Sequence, residues 1–465
     1  MNLSSQQNHT TLNNLRTKKS SKRSSKTLIE SIDFTKNNDV INFNIEWSTG
    51  YLSDIFKVLY NEQFVYSNNS LYTFNSIYWA LDDKNSSTLN NFIDKDFYSL
   101  LLKKLHDFDE STSENENRIK NIIKKRSEIE KLRNITYREN SIKDIKNKLT
   151  NNTLKFDNNP YLFAFNNKIY DLRKSTFVAP NPLDYISLTC GYDYDDNYDL
   201  TKIEKLDQLI NTIFSEEDIK KLYLTILATG LDGIPLEKFV IANGNGGNGK
   251  GLLNELMQKT VGNYSYTLPV SILLGPLKTG SNPELANIHK KRFVICREPD
   301  ADMKFNCASV KELTGGSEIN ARLCYSNITE ILLALSLISE CNQKPLLNES
   351  NNALGRRIID IPFKSTFVDK LIYDKLSEEG KKNTYVINSY YKSSEFKESY
   401  KQALFMLLIK YYKEYNDNNR VLPMVDEILK RNNEYLKKSD ELLSWVEDKY
   451  TLTDNKNDTI KLEHL

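Results

Sequence analysis

The sequence of 465 residues has no apolar stretch long enough to cross a lipid bilayer. Its most apolar windows, Ile331–Ile338 and Ala403–Ile409, fall well short of the roughly 20 residues that a membrane-spanning helix needs. The polar N-terminus also lacks the apolar segment of a secretory signal peptide. We therefore expect a soluble intracellular protein with no membrane partner.

The chain also lacks an excess of charge of either sign, because 63 Lys and Arg residues balance 62 Asp and Glu residues. Any contact with nucleic acid must therefore come from local basic patches rather than from the field of the whole molecule. Cysteine is scarce, with five residues and no CxxC pair, so no common zinc site is predicted. We expect reduced and mostly buried thiols.

Residues 1–40 are predicted to form a disordered basic tail. The first 26 residues hold six Lys and Arg residues and no acidic residue, and they are rich in Ser and Asn. Such a composition buries too little apolar surface to offset the entropy lost on ordering. A solvated tail is the favoured interpretation, and a nucleic-acid contact or a nuclear address is the alternative.

Residues 41–200 are predicted to form a mixed α+β domain. Aromatic residues are dense between Trp47 and Leu105, and we interpret them mainly as core, with base stacking beside Lys as the alternative. Asn115–Leu149 has Ile and Leu at helical spacings, which predicts one or two charged helices that pack within the chain or between subunits. Strand-like pieces separated by turn signals follow over Phe156–Tyr194.

A glycine-rich loop then follows a short buried strand. Two helices are predicted around Ile203–Ile213 and Glu216–Leu227, before the strand Phe239–Ala242. Beyond the loop, the apolar residues from Leu252 to Met257 have the spacing of a helix face. The loop consists of Gly244, Asn245, Gly246, Gly247, Asn248, Gly249, Lys250 and Gly251.

A strand, a glycine loop, a lysine and a helix in this order form the context of a phosphate-binding G-x-x-x-x-G-K loop. Glycines let successive backbone amides face an anion, and the helix N-terminus adds partial positive charge. Lys250 would neutralise the β- and γ-phosphates of ATP, so the loop predicts ATP and Mg²⁺ binding. Gly251 departs from the pattern, which has Ser or Thr there to ligate Mg²⁺; a water could replace that ligand. A glycine-rich turn with a chance lysine is the alternative.

Hydrolysis also needs a carboxylate near the γ-phosphate. Phe293–Asp300 has the pattern of a buried strand that ends in acids. Glu298 is predicted to activate water and Asp300 to support the metal ion, and a surface loop acid is the alternative for each.

Two further polar sites follow apolar runs. Leu332–Ser339 leads to Asn342, which is predicted to contact the γ-phosphate or the attacking water, with a strand-end turn as the alternative. Arg356 and Arg357 precede another apolar strand. One of them could reach the nucleotide of a neighbouring subunit, and an ordinary surface salt bridge is the alternative.

This ordered set of motifs resembles the superfamily 3 helicases, and it is most similar to the poxvirus-type primase-helicases of large DNA viruses and to related phage proteins. The block Leu313–Arg322 is the most specific signal, and the resemblance covers roughly residues 50–445. It implies an α/β P-loop motor of the AAA+ type, with a parallel sheet, over residues 201–370. A helical C-terminal region is expected over residues 371–465.

The resemblance implies an ATP-dependent DNA helicase of viral genome replication, assembled as a homo-hexameric ring on single-stranded DNA. Its catalytic residues would be Lys250, Glu298, Asn342 and Arg356 or Arg357, with Glu298 and Asp300 facing Mg²⁺. Segment 319–331 would form a hairpin lining the channel. Lys311, Arg322 and Tyr325 would contact DNA, because the hairpin tip itself carries no Lys.

The resemblance also sets limits on the predicted function. No primase catalytic domain is recognisable, so we expect helicase activity without primer synthesis and a separate primase as partner. The end at Asn457–Leu465 looks abrupt, as though a small domain were missing. The host cytoplasm or a viral replication site is the expected location, with the nucleus as alternative. A catalytically weak, ATP-binding ring scaffold is the alternative function, and a kinase or GTPase is disfavoured.

Overall fold

The computed structural model describes residues 41–110, 116–277, 280–300, 302–316, 318–322, 329–349 and 352–440, together with Trp445 and Lys449. The predicted tail, Tyr325 and segment 457–465 lie outside these residues. Internal contacts divide the chain into two compact units. The first takes in the chain up to Asn61 and Asn90–Lys148, and the second takes in Glu62–Leu89 and the chain from Leu149 onward. The predicted domain boundaries at residues 40, 200 and 370 stay predictions.

The first unit is helical. Its charged segment forms two helices, as one of the sequence alternatives predicted, joined by a short 3₁₀ turn. Burial of Phe56 against Phe97, with ring centroids 5.1 Å apart, packs the first helix onto the later ones. The helices are α1 Thr49–Tyr60, α2 Ser87–Phe92, α3 Tyr98–Glu110, α4 Glu116–Glu130 and α5 Ile135–Lys148. The first three residues of α2 are counted with the second unit, and its last residue leads through the π-helical turn Ile93–Phe97 into α3.

The second unit opens with two small antiparallel sheets. One consists of β1 Phe64–Ser67, β2 Ser70–Phe74 and β3 Trp79–Leu81, and the other of β4 Leu162–Ala164, β5 Ile169–Asp171 and β6 Thr176–Val178. Trp79 is 1% exposed, and its indole N–H donates to the Pro182 carbonyl oxygen at 2.8 Å. This aromatic residue therefore belongs to the core, which was the favoured interpretation.

The remaining chain alternates helices and strands. The elements are α6 Thr201–Ile213, α7 Glu217–Thr229, β7 Phe239–Asn243, α8 Lys250–Val261, β8 Ser265–Thr267, α9 Ser271–Leu274, β9 Gly280–Ser281, α10 Pro283–Ala286, β10 Phe293–Arg297, β11 Lys304–Phe305, α11 Cys307–Thr314, β12 Glu318–Arg322, β13 Thr329–Leu332, β14 Ser336–Cys341, β15 Leu346–Leu347, α12 Asn352–Gly355, β16 Ile358–Pro362, β17 Thr366–Val368, α13 Lys370–Tyr373, β18 Thr384–Val386, α14 Ser394–Asp417 and α15 Asp426–Ser439.

A five-stranded parallel sheet in the order β16-β7-β14-β10-β8 organises these elements. Both of its faces are covered. Val240 and Ala242 of β7 pack with α6, α7, α8 and α14, while Phe239 and Ile241 pack into a second core with α9, α10, α11 and the β12–β13 hairpin. Parallel strands buried on both faces read as continuous apolar runs, which is why β7, β10, β14 and β16 were visible in the sequence. The edge strand β8 is polar and only partly buried, and it was not predicted. The fold class is therefore α/β, with a helical C-terminal part over Ser394–Ser439.

The apolar run Leu332–Ser339 is divided between two elements rather than forming one strand. Leu332 ends β13, which pairs antiparallel with β12, and β14 begins at Ser336. Ile331, the connection 333–335 and the whole of β14 are buried, so hydrophobicity marks no boundary. The described cysteines, Cys190, Cys296, Cys307 and Cys341, are buried thiols, as predicted. Among the described helices, none is both long and apolar enough to cross a membrane.

A buried ion pair fastens the C-terminal helices to the segment that precedes β7. Asp232 is fully buried and accepts hydrogen bonds from the Tyr412 hydroxyl and from Arg420 Nη1, each at 2.7 Å. Burial raises the pKa of the Asp232 carboxyl, and the charge of Arg420 opposes that shift. The carboxylate therefore depends on its partners to stay charged in the core.

We expect Arg420→Leu to destabilise the fold by about 3 kcal/mol, because it leaves Asp232 buried without a countercharge. The urea midpoint followed by far-UV circular dichroism measures this. Lys413→Ala is the control, since it breaks only an exposed pair with Asp417 on the same helix and should cost below about 1 kcal/mol. Equal losses in both variants would contradict the role given to Asp232.

Candidate functional site

Three neighbouring strands of the parallel sheet end at one edge. In register, Asn243 lies opposite Cys341, and Arg297 lies opposite Glu340. β7 then continues into the glycine loop, β14 into Asn342 and β10 into Glu298. The fold therefore brings three of the predicted segments to the carboxyl edge, where open α/β sheets bind their ligands.

The glycine loop passes directly into α8. Gly249 is the N-cap residue, its φ is +85°, and no side chain caps the helix. In the first turn the Lys250 N–H donates to Asn248 Oδ1 at 3.4 Å, a long contact that an incoming anion could replace. The loop is held from outside, since the Phe367 N–H donates to the Gly247 carbonyl oxygen at 2.7 Å and Asn248 is buried against Phe363.

Lys250 extends back across this loop. Its Nζ donates to Asn342 Oδ1 at 2.6 Å and to the Gly244 carbonyl oxygen at 2.8 Å. Burial lowers the pKa of Lys250, and the nearby Glu340, Cys341 and Glu298 oppose that shift. The predicted pair Lys250 and Asn342 is therefore in direct contact, although the two residues lie 92 positions apart in the chain.

Glu298 has an unusual backbone conformation. Its φ is +50°, in the left-handed region that non-glycine residues seldom adopt, and its N–H donates to the Glu340 carbonyl oxygen at 2.9 Å. The side chain is exposed at the carboxyl edge. Asp300, two residues further on, is also exposed, and no contact joins its carboxylate to Lys250 or Asn342 within the described part of the chain.

The two predicted arginines lie at the other edge of the sheet. Ile358, the first residue of β16, pairs with Phe239, the first residue of β7, so Arg356 and Arg357 precede the amino ends of the strands. A five-residue strand separates them from the glycine loop, a length of roughly 16 Å at about 3.3 Å per residue. Arg356 is exposed, whereas Arg357 Nη1 donates to Thr314 Oγ1 at 3.2 Å.

Of the residues predicted to contact DNA, Lys311 lies toward this second edge. Lys311 is half-buried in the last turn of α11, three residues before Thr314. The β12–β13 hairpin pairs Ile319 with Ile331 and leads to the start of β14. Arg322 ends β12; its side chain and the whole of Tyr325 lie outside what the structure describes.

Glu340 is a site residue that the sequence analysis did not single out. It is 5% exposed, and its Oε1 accepts a hydrogen bond from Asn254 Nδ2 of α8 at 2.6 Å. Burial raises the pKa of the Glu340 carboxyl, while Asn254, Arg297 and Lys250 oppose the shift. One signal was available: Glu340 comes two residues before Asn342, at the end of the same apolar run.

The chain matches known proteins in two separate ways. The family model described as D5 N terminal like matches residues 53–215. A protein of Acanthamoeba polyphaga mimivirus whose name designates it a candidate helicase is 27% identical over 336 residues, covering 70% of this chain and 34% of that protein. The fowlpox virus protein named Primase D5 is 26% identical over 291 residues, covering 59% of this chain and 36% of that protein.

The chain spans about a third of the length of these curated relatives. The apo C-terminal region of NrS-1, a solved structure, is 16% identical with a TM-score of 0.38, and the match covers 54% of this chain and 60% of that one. The sequence matches extend well beyond the matched family model, because a third relative, from invertebrate iridescent virus 3, covers 66% of this chain.

The loop geometry predicts a difference between two of its glycines. A Cβ at Gly244 would lie 2.6 Å from the Phe363 carbonyl oxygen and would also collide with the Asn248 side chain, whereas a Cβ at Gly246 would meet nothing within 4 Å. We expect Gly244→Ala to lower stability by about 1–3 kcal/mol through this overlap. Gly246→Ala should have no measurable effect. Thermal unfolding of the two variants measures this, and equal melting temperatures would contradict the described loop.

Proposed function

We propose that this chain is the ATP-driven motor of a DNA helicase. The sequence matches to the poxvirus-type primase-helicase family support this proposal. The observation that carries the proposal is the contact of Lys250 with Asn342 and Gly244 at the carboxyl edge of a parallel sheet. A phosphate-binding lysine, a polar strand-end amide and an uncapped helix N-terminus meet there, as a P-loop motor of the AAA+ type requires.

In this proposal ATP binds with its phosphates over Gly244–Gly251. The amides of the loop and of the first turn of α8 donate to phosphate oxygens. Lys250 exchanges its contact with the Gly244 carbonyl oxygen for the β- and γ-phosphates, and Asn342 remains beside it to orient the attacking water. The residues fit this ligand, because the loop amides and the ammonium group supply only donors and positive charge.

Mg²⁺ would be held by Glu298 and Asp300, largely through water. Both carboxylates are exposed on the segment that follows β10. Mg²⁺ is commonly bound through one or two carboxylates and keeps several waters, which suits a site of this kind. Glu298 is also the base that takes the proton of the attacking water, and its left-handed backbone turns the chain away from the strand direction.

A ring is the assembly that makes Arg356 and Arg357 useful for catalysis. They lie beyond the amino ends of the strands, so they cannot serve the loop of their own subunit. Arg356 is exposed and has the freedom to reach the nucleotide of a neighbour, while Arg357 is engaged with Thr314. We assign the role across the subunit boundary to Arg356 and propose a homo-hexamer.

The edge of the sheet at the amino ends of its strands, here called the amino edge, is also where we propose that DNA binds. The β12–β13 hairpin, with Lys311, Arg322 and Tyr325, would line the channel around a single strand, and a separate primase would supply primers. Arg357 and Thr314 join the start of β16 to the end of α11, which leads into the hairpin. The bond thus offers a mechanical link between the arginine segment and the DNA-contacting hairpin.

A catalytically weak ring scaffold is the second candidate function. Gly251 favours it, because the hydroxyl that would ligate Mg²⁺ is missing. Both candidates require ATP binding, so measured turnover decides between them. Stimulation of that turnover by single-stranded DNA would then identify the helicase.

We expect Lys250→Ala to abolish ATP binding, because the ammonium group that neutralises the phosphates is gone. Glu298→Gln should still bind ATP but hydrolyse it at least about 100-fold more slowly. Asp302→Asn, which neutralises an exposed acid four residues beyond Glu298, is the control and should keep wild-type turnover. The measurements are nucleotide binding by fluorescence and phosphate release with and without single-stranded DNA. Wild-type turnover in Glu298→Gln would remove Glu298 from the mechanism.

We expect Arg356→Ala to bind ATP normally and to lose hydrolysis by about 1,000-fold, the scale of losing an arginine that acts in trans. Mixing Arg356→Ala with Lys250→Ala should restore part of the turnover, because some interfaces then join an intact loop to an intact arginine. Phosphate release of each variant and of the mixture, with ring mass measured in parallel, tests this. A mixture no more active than its components, in assembled rings, would refute the role of Arg356.

A further inference from the structure

Position 251 lacks a side chain where the phosphate-loop pattern has a hydroxyl. A Cβ built on Gly251 would meet no heavy atom within 4 Å, so the glycine is not required by crowding. Space for a metal-ligating group is therefore open on this side of α8, and the residue that usually fills it is missing.

Glu340 faces the same side of α8. Its partner Asn254 lies three residues after Gly251, and residues three apart share one face of an α-helix. The Asn254 amide donates to Glu340 Oε1, and the Tyr223 hydroxyl fixes that amide by donating to Asn254 Oδ1 at 2.6 Å. Asn254 and Tyr223 are both fully buried, so the carboxylate is held in one position.

The second oxygen of Glu340 is poorly satisfied by its neighbours. Oε2 is 3.5 Å from Arg297 Nε, a contact too long for a good hydrogen bond, and that Nε has no hydrogen-bond partner. Arg297 instead directs its two Nη atoms to Glu255 and Gln258. Lys250, the other cation nearby, is bound to Asn342 and Gly244.

We propose that Glu340 is a metal-positioning residue, whose Oε2 accepts a hydrogen bond from a water on the Mg²⁺ ion of the bound nucleotide and so fills the role of the hydroxyl that Gly251 lacks. The inference rests on the proposed nucleotide site and deepens it. The fit lies in the donor set: Glu340 Oε2 has only the long contact with Arg297 Nε, and the helix face at Gly251 has room for a hydrated ion. Substitutions at positions 251 and 340 should therefore compensate each other.

Mn²⁺ binding to the protein–ADP complex, measured from the electron paramagnetic resonance signal of free Mn²⁺, tests this without relying on turnover. We expect Glu340→Gln to weaken Mn²⁺ binding about tenfold, the scale for losing an outer-sphere partner of a metal. Glu340→Asp, which keeps the charge but withdraws it by one methylene, should be intermediate. Gly251→Ser should restore most of the loss in Glu340→Gln, because the new hydroxyl fits the open space.

Glu255→Gln is the matched control. This substitution removes one negative charge from α8. Glu255, like Glu340, contacts Arg297, but its carboxylate accepts hydrogen bonds from Arg297 Nη1 and Lys397 rather than from Asn254. It should change Mn²⁺ binding by less than about twofold. Far-UV circular dichroism and the melting temperature establish that each variant is folded, and Glu340→Asp carries the test if Glu340→Gln is not.

Three outcomes would overturn the proposal. The first is that Glu340→Gln leaves Mn²⁺ binding unchanged. The second is that the effects of Gly251→Ser and Glu340→Gln on Mn²⁺ binding are additive. The third is that Glu340→Gln weakens ADP binding equally with and without the metal. The last result would mean that Glu340 acts through Lys250. Failure of the nucleotide site itself is distinguished by Lys250→Ala, which would then leave ADP binding unchanged.

Discussion

The parallel register of β7, β14 and β10 is the constraint on which the candidate site depends. Because these strands run side by side in one direction, the residues that follow each of them meet at one edge of the sheet. The hydrogen bond from Lys250 to Asn342 closes this edge across 92 residues of sequence. A shift of one residue in the register between β7 and β14 would turn Asn342 to the other face of the sheet and break its contact with Lys250.

The same sheet separates two kinds of chemistry. The carboxyl edge holds the glycine loop, Lys250 and the strand-end acids, and the amino edge holds Arg356, Arg357 and the hairpin. Both faces of the sheet are packed, so each strand is a stiff connection between the edges. If the proposed nucleotide binds at the carboxyl edge, a change there would reach the hairpin through β14, whose two ends touch the two regions.

The sequence was most informative where the determinants are local. The order of strand, loop and helix around Gly244–Gly251 was predicted correctly, because glycine spacing, an apolar strand and an apolar helix face all fall in one window. Asn342, which contacts Lys250, was singled out from its place after an apolar run. The break between β13 and β14 was missed, since buried connections are as apolar as strands. The division into two units could not be predicted from the sequence, because it depends on which distant segments pack together.

Glu340 shows a different limit. An acid at the end of a strand looks like any other, and its significance arises from Asn254, 86 residues earlier, and from the burial of both. Replacing a buried charge and its partners by apolar residues is often neutral or stabilising, so stability alone gives a weak reason for a carboxylate there. A buried charge beside the lysine that we propose binds phosphate, and next to a helix with an unfilled position, is better explained by a cation that would bind with the proposed nucleotide. The cost of desolvating Glu340 would then be offset when that cation arrives, which links the energetics of the core to the ligand.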